Sequence, residues 1–343
     1  MEGDSFPHLV AHADWSAQPR KRWLARALWR DGRYHACAPE LAGPAETLLA
    51  RLRAAVPASA AILLGFDFPI GLPRAYAAQV GVTRFLELLP RLGHGPWRDF
   101  YQAAVTPAEI GLARPFYPQR PGRARRQHLL DGLNVTHIDD LRRACDLPQP
   151  GRRAAAPLFW TMGAQQVGKA AISGWRDVLG PALRDAGQET AIWPFSGALP
   201  ALLQPGRTVI AEAYPAEFYG HLGVAFPRRP GRKAGKRVQA DRAANAPALL
   251  EWTARCDVAL SAPLRAAIVD GFGAAAEGED PFDAVVGLLG MLNTVLGQRP
   301  FGAPADPLIC QVEGWILGQA AAGGEERGAR SEGRGAIIAW GGV

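Results

Sequence analysis

Three apolar runs in this chain end in the same way, and that shared ending limits what it can fold into. HLVAHADWS (8–16), AILLGFDFP (61–69) and TVIAEAYP (208–215) each stop at a carboxylate, Asp14, Asp67 or Glu212, and continue into an aromatic residue or a proline. A continuous apolar run of strand length, such as AAILLGFD, suits a parallel strand buried on both faces. In open sheets, ligands bind beyond the carboxyl ends of the strands. If the three runs are parallel neighbours, Asp14, Asp67 and Glu212 project into one small volume.

The segments around these runs predict an order. Lys21–Arg30 and Arg33–Cys37 flank Asp31-Gly32, and Asp-Gly between two such runs is a hairpin signal. The first of the two could also be read as a helix. Glu46–Val56 has helical spacing, with leucines at 48, 49 and 52 and Val56. The order is therefore strand, hairpin, helix, central strand. Segment 70–205, rich in Pro, Arg and aromatic residues, interrupts it and holds a helix near 164–186. The pattern resumes at Arg207–Ala213, and helices are expected at 244–256, 261–270 and 282–297. The Gly-, Ala- and Glu/Arg-rich stretch 318–343 is expected to be poorly ordered at least to Arg334. No internal repeat is visible.

With 343 residues, 48% of them apolar, the chain can bury one large core or two modest ones. Its longest apolar runs are too short to cross a bilayer, and the N-terminus lacks the pattern of a signal peptide. Cys37, Cys145, Cys256 and Cys310 are scattered without metal-ligand spacing, as expected of reduced thiols in a cytoplasmic protein. The formal charge of +6 is unevenly spread. Segment 112–126 carries five arginines and no acid, and segment 228–242 carries seven basic residues and one acid. Both contain Pro and Gly and read as loops. Two basic loops flanking an acidic site suit a polyanionic ligand, whose counterions they displace.

Clustered carboxylates repel one another and are costly to bury unless paired. A divalent cation such as Mg²⁺ or Mn²⁺ removes that cost, and Mg²⁺ favours a few carboxylates plus water and substrate phosphate. Two such ions about 4 Å apart can serve phosphodiester hydrolysis. Asp283 offers a further ligand, with Asp280 three residues before it on one helix face. Each acid also has a structural reading. Asp14 and Asp67 could form turns, Asp280 could cap a helix, Asp283 could complement its dipole, and Glu212 could pair with a loop arginine.

At these residues the chain resembles a family of uncharacterised bacterial proteins, grouped as a domain of unknown function and predicted to be RNase H-fold nucleases. The resemblance rests on ADWSAQPRKRW (13–23), GFDFPIGLP (65–73), FWTMGAQQVGKAAISG (159–174), IWPF (192–195), EAYPAEFY (212–219), GKRVQADR (235–242) and DAVVGLLG (283–290). It covers about residues 8–297. It implies an RNase H-like α/β fold, a mixed five-stranded sheet with flanking helices. The core would be 1–69 with 206–317, carrying a largely helical and loop insertion at 70–205 and a tail at 318–343. RNase H-like enzymes, including Holliday-junction resolvases, use an acid on the first strand, one on the fourth, and one or two on a late helix. The resemblance assigns these roles, as metal ligands, to Asp14, Asp67 and Asp283, with Asp280 as the extra helix acid. Glu212 has no counterpart in that triad and would be an auxiliary ligand or an organiser of the site. The long insertion departs from a minimal RNase H domain.

Other residues suit a nucleic-acid partner. Lys169, with Gln165 and Gln166 beside it, could reach a phosphate. Lys236, Arg237 and Arg242 could contact a backbone without reading its sequence. Trp15, Trp97, Trp160, Trp193 and Phe195 could stack on unpaired bases or could simply pack. His12 is expected to pack, and His221 is a possible proton carrier. There is no P-loop and no nucleophile elbow.

The expected activity is that of a metal-dependent nuclease. One alternative is a nucleotide-binding phosphotransferase of the actin/sugar-kinase type, though WSAQPRKRW lacks the glycine-rich turn for close phosphate approach. Another is a non-catalytic nucleic-acid-binding protein.

Overall fold

The computed structural model describes residues 6–120, 122–149, 152–163, 167–185, 189–226, 235–274 and 276–321. Gln165 and Gln166, the stretch 228–234 of the second basic segment, and most of the tail lie outside the described residues. Among the described residues, eight strands form one mixed sheet: β1 (Leu9–Asp14), β2 (Trp23–Arg30), β3 (Arg33–Ala36), β4 (Glu40–Leu41), β5 (Ile62–Phe66), β6 (Thr190–Ile192), β7 (Thr208–Glu212) and β8 (Ala259–Leu260). Their order is β6-β7-β5-β1-β2-β3-β8, with β4 pairing β2. The protein is thus α/β, with three more strands than the five expected. One of the additions, β6, comes from segment 70–205 and pairs in parallel with β7.

The hairpin falls where Asp31-Gly32 places it. Arg30 pairs Arg33, and both turn residues have positive φ, 51° and 79°. That is the backbone twist a two-residue hairpin needs, and Gly32 adopts it without a Cβ penalty. Of Lys21–Arg30, Trp23–Arg30 resolves as a strand, because its residues pair with β1 on one side and with β3 and β4 on the other, while Lys21 ends a short 3-10 turn. The helices that frame the site are α1 (Leu48–Ala54), α2 (Val167–Gly174), α3 (Gln239–Ala243), α4 (Ala246–Arg255), α5 (Ala262–Asp270) and α6 (Glu279–Val295).

The sheet divides the core in two, and strand alternation assigns each residue to a side. Leu9, Ala11 and Ala13 of β1, Ile62, Leu64 and Phe66 of β5, and Ile210 of β7 face α1 and the aromatic residues of segment 70–205. Val10, Leu63, Val209 and Ala211 face α6, as does Ala213 just after β7. Segment 70–205 therefore shares a continuous core with the sheet, through Phe85, Phe100, Phe116 and Trp175. α6 lies close against the other face because glycines permit it. A Cβ on Gly287 would stand 2.2 Å from the His12 ring, and one on Gly290 would stand 2.0 Å from Phe218. No helix among the described residues is long and apolar enough to cross a membrane, and the four cysteines are free thiols.

Candidate active site

Register decides which acids meet. In the parallel ladder β1-β5-β7, Ala13 stands beside Phe66, and Phe66 beside Glu212. Asp14 and Asp67 lie one step further on and are level with each other. That single step turns both side chains to the opposite face from Ala13 and Phe66, the face covered by α6. Glu212 is level with Phe66 and points to the other side. The three acids expected in one volume are thus split, two and one.

On the α6 face, Asp283 completes a cluster. Asp14 and Asp67 are half-buried and hydrogen-bonded to each other, and Asp283 is buried above them. The Trp15 backbone N–H donates to Asp67 Oδ1 at 2.6 Å. The Tyr219 hydroxyl donates to Asp283 Oδ1 at 2.7 Å. Lys236 Nζ donates to Asp283 Oδ2 and lies 3.1 Å from Glu279 Oε1. Neither helix acid caps α6. Gly278 occupies the cap position, and Asp283 stands five residues into the helix from it. Asp280 is half-buried at the edge of the cluster, where its field reaches Asp14.

Burial raises the proton affinity of these acids, and their mutual repulsion adds to it. Asp14 is held well above the usual carboxylate range, first by desolvation and then by the charges of Asp67 and Asp283, with Lys236 offsetting part. Asp67 is pushed up to about 7 by burial, against the stabilising Trp15 N–H. Asp283 is also raised by burial, although Lys236 and Tyr219 pull it back. For Lys236, burial works against the charged form, but Asp283, Glu279 and Asp14 outweigh it and hold the ammonium charged. The result is an electrostatic deficit. Among the described residues, Asp14, Asp67 and Asp283 face one ammonium, and Lys236 shares its charge with Glu279.

Glu212 belongs to a different construction. The buried Arg143 guanidinium grips it through Nη1 at 2.5 Å and Nη2 at 2.7 Å, and grips Asp146 through Nε at 2.8 Å and Nη2 at 2.9 Å. The Ile70 N–H donates to Glu212 Oε2 at 2.8 Å, and Arg143 Nη1 also reaches the Ile70 carbonyl. Glu212 thereby anchors the loop after β5 to segment 70–205. Burial raises its proton affinity, and Arg143 opposes that rise. It takes no part in the cluster on the α6 face, because strand alternation turns it away.

The expected phosphate-contacting residues also separate. Lys236 is in the cluster. Arg237 is exposed and pairs with Glu279 at 3.3 Å. Arg242 is buried and donates to the carbonyls of Gly271, Gly273 and Lys236, so it holds the loop that presents Lys236 rather than facing solvent. Lys169 is half-buried on α2, one helical turn before Ser173, which accepts a 3.0 Å hydrogen bond from the Trp15 indole. Trp15 and Trp193 are buried packing residues. Trp97, Trp160 and Phe195 are half-buried and pack on Phe100, Tyr117 and Phe85. His12 packs under Gly287, donates from Nε2 to the Ala213 carbonyl at 2.9 Å, and is held neutral by burial with its pKa lowered to about 4. His221 is similarly lowered to about 4 by burial, beside Phe218.

Sequence reasoning missed Tyr219, Glu279, Arg143 and the Trp15 N–H. It also missed a signal that separates the acids. Aligned on the aromatic residue that follows, Asp14-Trp15 and Asp67-Phe68 match Ala213-Tyr214, which leaves Glu212 one position early.

Comparison with family models, with curated proteins and with solved structures yields no match. The site's donors, carboxylate oxygens from two strand ends and one helix, are of the kind hard divalent cations select. As placed, no three His, Cys, Asp or Glu side chains among the described residues are arranged around one point as metal ligands. Asp283 is turned instead toward Lys236 and Tyr219.

Proposed function

We propose that the protein is a metal-dependent nuclease of RNase H-like fold, with Asp14, Asp67 and Asp283 as the ligands of Mg²⁺ or Mn²⁺. The observation that carries this reading is the charge deficit among the described residues: three crowded carboxylates, two of them register-matched strand ends, offset by one lysine that they share with Glu279. A folded site retains such crowding at a cost in stability, and a divalent cation is the ligand that reverses the cost. Bound there, it would activate water and stabilise the leaving oxygen of a phosphodiester.

The chain's own groups have definite tasks in this reading. The Trp15 N–H fixes the Asp67 carboxyl, and Tyr219 and Lys236 hold Asp283 until it is needed. Lys236, with 39% of its side chain exposed, pairs with Asp283 and can also face a substrate phosphate. The strand order β3-β2-β1-β5-β7, with the first three strands a meander and the next two parallel to β1, supports the RNase H-like reading. The resemblance of the motifs to the family of predicted nucleases points the same way.

The test is a panel of DNA and RNA substrates, single- and double-stranded, incubated with purified protein and Mn²⁺ or Mg²⁺. Cutting is expected for at least one member and is lost in Asp14→Asn and in Asp67→Asn. Cutting that survives both substitutions would sink the assignment. MgATP hydrolysis without cutting would favour phosphotransfer instead. Salt-sensitive nucleic-acid binding indifferent to metal and to both substitutions would favour a non-catalytic binder.

A further inference from the structure

Segment 70–205 contains a cleft that the acidic cluster does not use. α2 does not continue regularly. It passes into a π-helical turn at Trp175–Leu179 before the α-helical Gly180–Arg184. Turns of this kind are rare and occur often at functional sites. Between this turn and the stretch Leu92–Gln102 opens a cleft of about 430 Å³. Arg176 enters it from the π turn, Arg184 from the next turn and Arg98 from the facing stretch. Tyr101 and Gln102 add a hydroxyl and an amide, and the fully buried Trp175 lines it from below.

The charge is one-sided. No carboxylate is among the described residues that line the cleft. Arg176 pairs with Asp177 at 2.7 Å and Arg98 with Asp99 at 3.5 Å, but no carboxylate among the described residues pairs with Arg184. Three guanidinium groups around one concavity repel one another, and the low-dielectric wall focuses their field outward. Guanidinium forks match phosphate oxygens bidentately. Burial holds the Tyr101 hydroxyl in its protonated, donating form.

We propose that this cleft is a phosphate-binding site, with Arg98, Arg176 and Arg184 as the anion clamp and Tyr101 and Gln102 as neutral donors. It goes beyond the nuclease reading and does not depend on it. The cleft is nevertheless joined to the acids by a chain of contacts. Asp177, next to Arg176, lies 3.8 Å from Arg22. The Arg22 guanidinium lies over the Trp15 ring at 4.3 Å, and the Trp15 N–H donates to Asp67.

The phosphate could belong to a free nucleotide or to an internal phosphodiester, and two probes separate these sources. Thymidine 5′-monophosphate and an oligothymidylate without terminal phosphates are titrated calorimetrically into the full chain, without divalent metal, at several salt concentrations. Arg98 and Arg184 are exposed, so the double variant Arg98→Gln/Arg184→Gln should fold normally, as circular dichroism would check. It should bind the preferred probe at least about tenfold more weakly, through loss of two charge-assisted contacts. If the oligonucleotide is preferred, its log–log salt slope should fall by about 1–2. Wild-type affinity in the double variant, or no binding of either probe to the wild type, would overturn the proposal. A protein that cuts nothing yet loses binding in the double variant would refute the nuclease reading and leave the cleft standing.

Discussion

Asp14 and Asp67 on one face of the sheet, and Glu212 on the other, come from strand ends with nearly the same grammar, yet they lie in opposite electrostatic surroundings. Glu212 and Asp146 share one buried guanidinium that satisfies both bidentately. Among the described residues, Asp14 and Asp67 have only each other, one backbone N–H and the more distant field of Lys236 to set against their burial. The first set is complete as folded and acts as a clamp between segment 70–205, the loop after β5 and β7. The second is incomplete as folded. What separates them is one residue of strand register, because alternation sends neighbouring side chains to different faces. A buried carboxylate is thus structural or available for chemistry according to the cation that its face of the sheet supplies.

The largest expected effect tests the complete set. Arg143→Met leaves Glu212 and Asp146 buried without a cation, with only backbone N–H donors among the described residues, and should cost about 3–5 kcal/mol in urea unfolding. A loss below about 1 kcal/mol would mean that water reaches the pair, and the contrast between the two faces would collapse. Next comes the seating of the incomplete set. Gly287→Ala would push a methyl into the His12 ring, 2.2 Å away, and should lower stability by about 1–3 kcal/mol by overpacking. An unchanged Tm would show that α6, and Asp283 with it, is not held tightly on β1.

Asp67→Asn should have the opposite sign. In metal-free buffer at pH 8 it removes a repelling charge, so the variant should equal or exceed the wild type by on the order of 1 kcal/mol. The pH dependence follows from the raised Asp67 pKa, about 7 against an ordinary 3.8. The folded protein holds a proton that the unfolded chain releases. Relative to the variant, wild-type stability is therefore greatest below pH 3.8 and is lost as pH rises through about 7. A difference that is flat with pH would show that Asp67 is not crowded. Taking the difference between the two proteins cancels the opposing contributions of His12 and His221. Added Mn²⁺ should raise the Tm of the wild type and not of Asp67→Asn, because only the native wild-type site gains a ligand.

The smallest effect belongs to the rim. Arg237→Ala breaks an exposed pair with Glu279 and should change stability by less than about 0.5 kcal/mol. A larger loss would place Arg237 among the groups that compensate the cluster.

Much of this was legible in the residues. Apolar runs of strand length place β1, β5 and β7, and Asp31-Gly32 fixes the hairpin and with it the register of β2 on β3. The amphipathic spacing of 46–56 and the apolar stretch from 282 give α1 and α6. The short strands β6 and β8 were not legible. Three and two residues carry no periodicity, and they are strands only because β7 and β3 offer open edges. Capping looked adequate for Asp280 and Asp283, because the motif does not say where the first turn of α6 begins. Lys236 and Arg242 looked alike in one basic segment, but the fold buries Arg242 against three carbonyls and turns Lys236 to the acids.

By itself, then, the sequence determined the long strands β1, β2, β5 and β7 and the chemical type of the residues at their ends, since burial on both faces and tight turns demand particular side chains locally. The tertiary structure alone decided which acids share a face and which cations reach them. Strand register, and the arrival of Arg143 and Lys236 from segments distant in the chain, are set by packing across the sheet. No local spacing records that packing.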